Sequence, residues 1–83
     1  MSFTQQQMDE LDVLIRYRLD TTLEGIKIHH TANARIRDAA ERLYEKGLIT
    51  QVDGGYLTEL GRETAEHAQA LLLLLAPAQE MAS

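Results

Sequence analysis

Apolar residues near the start of the chain recur at helical spacing. Met8, Leu11, Ile15 and Leu19 stand at i, i+3, i+7 and i+11, with Leu14 at the edge of the stripe. The residues ahead of them, "FTQQQM", form a helix start in which Thr4 caps, Gln7 completes a capping box and Phe3 staples onto Met8. This predicts a first helix over residues 5–19, with Val13 and Tyr17 on the side away from its core stripe. After Asp20-Thr21-Thr22 the pattern becomes ambiguous. In "LEGIKIHH" Ile26 and Ile28 alternate with Lys27 and His29 as in a strand, yet the position suits a short second helix over residues 23–29, which is the expectation taken forward.

From Thr31 or Ala32 to Lys46 the period is helical again, with Ile36, Ala40 and Leu43 inward and Gly47 as the stop. Leu48 to Val52 and Tyr56 to Thr58 then read as two short strands around Asp53-Gly54-Gly55. A turn centred on Gly54-Gly55 would set Val52 opposite Leu57 and pair two apolar residues. Thr58 caps a last helix that runs to about Leu75, where Ala76-Pro77 ends it. On that helix Leu60, Ala68, Leu71 and Leu75 share a face that His67 joins as a largely buried residue, Leu72 and Leu74 lie at its edges, and Leu73 points the opposite way. The expected fold is mainly α with a small β-hairpin, an α+β domain over residues 1–76 followed by a flexible tail over 77–83.

Composition narrows the function. Eighty-three residues, 45% of them hydrophobic, suit one small domain with a limited core. The absence of cysteine excludes disulfides and thiolate metal sites and points to a reducing, cytoplasmic setting. The start lacks the basic region and apolar core of a signal peptide, and the longest apolar run, Ala70 to Pro77, falls far short of the roughly 20 residues that span a bilayer. A net charge of −5 argues against unspecific coating of nucleic acid. Residues 27–52 are the exception: Lys27, Arg35, Arg37, Arg42 and Lys46 against Asp38, Glu41 and Glu45 leave +2.

No pattern of catalytic or metal-binding type is present. His29 and His30 are adjacent and so point to different sides, and no HExxH, nucleophile elbow or phosphate-cradling glycine loop occurs. No enzyme activity, cofactor or metal is therefore expected.

The 29 residues from Thr21 to Ile49, and "GYLTELGRE" after them, resemble the helix-turn-helix, wing strand and following helix of bacterial winged-helix regulators of the MarR and PadR type. The whole chain, with "GIKIHHTA" leading into "AAERLYEKGLITQVDGGYLTELGRE", also resembles a small bacterial family labelled hypothetical DNA-binding protein. The resemblance implies a winged helix-turn-helix with helix 2 over Leu23–His29, a turn over His30–Ala32 and a recognition helix over Asn33–Lys46. It implies a transcription regulator that binds double-stranded DNA, in which Asn33, Arg35 and Arg37 reach bases and Lys27, His30, Arg42 and Lys46 hold phosphate. Gly25, His29 and Thr31 depart from the large apolar residues usual at those places.

Two features weigh against a reader of DNA. Ala34, Asp38, Glu41 and Glu45 point most directly away from the buried side of that helix, and three of the four are acids. Arg37 with Glu41 and Asp38 with Arg42 are also spaced for pairs along the helix surface. The alternative is a non-enzymatic protein-interaction module of the same shape that binds no DNA. Five consecutive leucines need cover from more than one direction. Together with Val13 and Tyr17, Leu72 and Leu73 outline an interface for a homodimer or another protein partner.

Overall fold

The computed structural model describes residues 1–77, so the expected tail lies outside the described residues from position 78 onward. Six elements follow one another: α1 (Gln5–Leu14), β1 (Ile26–Lys27), α2 (Ala34–Glu45), β2 (Ile49–Gln51), β3 (Gly54–Leu57) and α3 (Glu59–Leu75). They form an α+β fold of three helices and a three-stranded antiparallel sheet in the order β1-β3-β2. Among the described residues no helix is long and apolar enough to cross a membrane.

α1 starts as its sequence dictates, with the Gln7 N–H donating to Thr4 Oγ1 at 3.0 Å and the Thr4 N–H to Gln7 Oε1 at 2.9 Å. It ends at Leu14, five residues short of the expected Leu19. Val13 and Tyr17 are buried core residues, whereas Met8 is 43% exposed, so the expected division of this segment is corrected. The reason is that α1 packs against both α2 and α3, and residues on two of its sides must be apolar. The Tyr17 hydroxyl, buried with them, finds no hydrogen-bond partner among the described residues. Burial, then the charge of Asp53, pushes its pKa up to about 12. Tyr17→Phe keeps the ring and removes the unsatisfied group, so denaturant unfolding is expected to show a stabilisation of up to about 1 kcal/mol.

Residues 23–29 do not form a helix. The Ile26/Ile28 alternation prevails: Ile26 and Lys27 pair with Gly55 and Gly54 of β3, and the Ile28 N–H donates to the Asp53 carbonyl at 2.8 Å. Only one helix, α2, therefore lies between β1 and β2: the expected helix 2 is replaced by β1 and irregular chain, while the expected turn at His30–Ala32 is present, closed by the Ala32 N–H donating to His29 O at 2.9 Å. α2 follows the prediction closely. Asn33 caps it, Ala40 and Leu43 are buried with Ile36 partly so, and Gly47 at φ 78° lets the Leu48 N–H reach Leu43 O and the Gly47 N–H reach Tyr44 O.

The hairpin turns at Val52–Asp53, not at the two glycines, and Ile49 rather than Val52 faces Leu57. Gly54 and Gly55 belong to β3, where β1 crosses so closely that a Cβ on Gly54 would lie 2.6 Å from the Ile26 carbonyl oxygen. Gly54 also sits at φ 121°, which L side chains rarely adopt. Thr58 caps α3 as expected, and its hydroxyl also donates to Gly47 O, tying the start of α3 to the end of α2.

The buried face of α3 is Gly61, Ala65 and Ala68, so the expected face of Leu60, Leu71 and Leu75 with a buried His67 is corrected. Small residues let the helix axis approach the chain below it; at Gly61 it passes directly over the Leu48 carbonyl. Arg62 donates to Leu19 O at 2.8 Å and Thr21 O at 2.7 Å, and Gln69 to Tyr17 O at 2.7 Å. These bonds tie the first two-thirds of α3 to the segment that follows α1.

Candidate functional site

Two surfaces carry the residues singled out in the sequence: the basic side of α2 and the exposed end of α3. On α2, Arg35, Arg42 and Lys46 lie along one flank, as the helical spacing requires, and that flank faces α1. Asp9 accepts from Arg35 Nη2 at 2.9 Å and Nε at 3.2 Å, and from Gln5 Nε2 at 2.9 Å. Glu10 accepts from Arg42 Nε at 3.1 Å and from Lys46 Nζ. Both acids are buried residues. The cations assigned to phosphate and bases on this flank thus fasten α1 to α2, and Arg42 pairs with Glu10 instead of the expected Asp38.

The Asp9 carboxyl is held below the ordinary value of 3.8, first by the hydrogen bond from Arg35, then by that from Gln5. A pKa lowered by folding means that the unfolded chain binds the proton more readily. The stability from this contact is complete above the unfolded pKa and is lost as pH falls through the folded one, below about pH 4. Arg35→Ala is accordingly expected to lower stability more at about pH 7 than at about pH 3, measured by urea unfolding at both values.

The rest of the predicted DNA surface is divided. Asn33 spends its side-chain oxygen on the Arg35 N–H at 2.8 Å as the helix cap. Lys27, His30 and Arg37 come together on the edge of a groove of about 370 Å³ between α2 and the sheet, with Ile28, Glu41, Val52 and Asp53. Lys27 lies 3.9 Å from Asp53, and Arg37 Nε donates to Ala32 O at 3.0 Å. Two acids therefore face the three basic groups of this groove. His29, His30 and His67 are exposed, and among the described residues no group of three potential ligands is placed to hold a metal.

The proposed interface is also divided. Val13 and Tyr17 are consumed by the core of a single chain, which removes them from any surface. Leu72 and Leu73 are 57% and 64% exposed and are joined by Leu71, Leu74 and Leu75. At 100° per residue, five successive positions point in every direction around the helix. α3 has 17 residues, but its last buried residue is Ala68, so its final two turns carry apolar side chains that the domain does not enclose.

Sequence reasoning missed Asp9 and Glu10, because their partners lie 26 to 36 residues away and no local pattern announces them. It also missed Arg62, whose carbonyl partners sit in an irregular connection. The small-residue spacing of Gly61, Ala65 and Ala68 was a usable signal for the buried face of α3.

A family model described as a family of unknown function (DUF5669) matches residues 1–76, every element of the fold included, and the chain belongs to that family. No curated protein and no solved structure matches the chain.

Proposed function

We propose that this DUF5669 chain is a non-enzymatic protein-interaction module that presents the end of α3 to another polypeptide and does not read DNA. The observation that carries this reading is the run Leu71 to Leu75, in which every residue is between 43% and 79% exposed. Contiguous exposed apolar surface of this kind marks an interaction site, and full burial of a leucine is worth about 1.5 to 3 kcal/mol. The order of a helix, a hairpin and a helix, with β1 as a third strand beside the hairpin, supports reading the frame as winged-helix-like. The part that would enter a DNA groove is poorly suited to it. Its flank of Arg35, Arg42 and Lys46 is engaged by Asp9 and Glu10, and a second helix ahead of it is missing.

One arrangement favours the second reading, a DNA-binding regulator. Lys27, His30 and Arg37 meet beside the groove, and Arg37 forms no ion pair among the described residues. Selection from a pool of random-sequence duplexes at low salt separates the two. The interaction module enriches no sequence. Enrichment that disappears with Arg37→Ala would establish DNA reading and overturn the first proposal.

A further inference from the structure

We infer that the polypeptide received by the end of α3 is a second copy of this chain, paired two-fold with the two helix ends antiparallel. This rests on the reading of α3 as an interaction surface and names its occupant. Three observations lead to it.

The first is charge. From Ala68 to Pro77 the chain carries no ionisable side chain, although the whole chain has a net charge of −5. Two like-charged copies meet here without placing acid against acid, whereas a partner chosen by charge finds nothing to recognise. The second is direction. The acids of α3, Glu59, Glu63 and Glu66, all precede Ala68. Parallel helices would set these acids side by side. An antiparallel pair overlapping at the leucines sends them to opposite ends, with Glu66 about 10 Å along the helix from Leu73.

The third is area. Together the five leucines expose about as much surface as three fully exposed leucine residues. Covering all of it on both copies would bury on the order of 1,000 Å², and one facing helix covers part of that, below the roughly 1,200 to 2,000 Å² of standard specific interfaces. A pair of this size is reversible and depends on concentration. A two-fold pair sets the same leucine-rich helix against both ends at once, each covering the side of the other that it faces.

Sedimentation equilibrium of the full chain tests this. The weight-average mass should rise from one chain toward two as concentration increases from the low-micromolar to the millimolar range. Leu73→Glu and Leu73→Lys should each remain monomeric alone and form a dimer when mixed, since two-fold pairing brings the two substituted positions together. A wild-type chain that stays monomeric throughout overturns the second copy, as does a dimer that both substitutions leave intact. Capture of a different protein by a cross-linker at Leu73, with the chain itself monomeric, also overturns it while leaving the interaction reading standing. Loss of any capture at Leu73 removes the interaction reading as well.

Discussion

Gly61→Ala is expected to abolish the native fold or destabilise it by several kcal/mol, although the same change inside an exposed helix usually stabilises by about 0.5 to 1 kcal/mol. The sign reverses because of what lies beneath the helix. A Cβ at this position would overlap the Leu48 carbonyl oxygen and stand 2.7 Å from its carbon, and both atoms are backbone. No rotamer change relieves that contact; α3 has to move away. Moving it disturbs the Thr58 cap, the Thr58 bond to Gly47 and the burial of Ala65 and Ala68. A small domain with about 5 to 15 kcal/mol of total stability has little margin for that. Thermal unfolding followed by circular dichroism measures the effect. A melting temperature equal to or above that of the wild type would show that the helix does not pass so close to Leu48.

Leu73→Glu should have the opposite profile, leaving the fold intact and removing association. Leu73 is 64% exposed, and a substitution at such a site ordinarily changes stability by no more than about 0.5 kcal/mol. In a paired interface the same glutamate would be buried among leucines with no basic partner, at a cost that weakens association by well over tenfold. The contrast with Leu43→Ala is instructive. Leu43 is 1% exposed within the core, so its truncation should cost about 2 to 5 kcal/mol and lower every activity together by unfolding the chain. Unfolding curves and sedimentation on both variants separate the two kinds of loss. A Leu73→Glu chain as unstable as Leu43→Ala would place this end of α3 in the core of the single chain.

Local chemistry was the legible part of this fold. The Thr4 capping box, the inward stripe of α2, the stop at Gly47 and the Thr58 cap each depend on residues within a few positions of one another. Failures occurred where distant parts of the chain decide. The Ile26/Ile28 alternation covers only three residues, too few to prevail over a resemblance, and β1 exists because β3 offers it two glycines to cross. Hydropathy drew attention to the leucines of α3 as the buried face, while close packing selected Gly61, Ala65 and Ala68. The basic flank of α2 was visible in sequence, but its pairing with Asp9 and Glu10 is a tertiary fact.

The same contrast bears on function. A positive segment in an acidic chain invites a nucleic-acid reading until its partners are known, and here three of its five lysines and arginines meet acids of α1. The leucine run was equally visible, and the fold leaves it uncovered. The most direct measurement is therefore a photo-reactive residue placed at Leu73 in the full chain inside cells, with a second at Glu45 on the outward side of α2 as control. Cross-links to a polypeptide from Leu73 and none from Glu45 are expected, and an adduct of twice the chain mass identifies the second copy. Cross-links to nucleic acid from Glu45, with none to protein from Leu73, would contradict the interaction module and return the function to DNA.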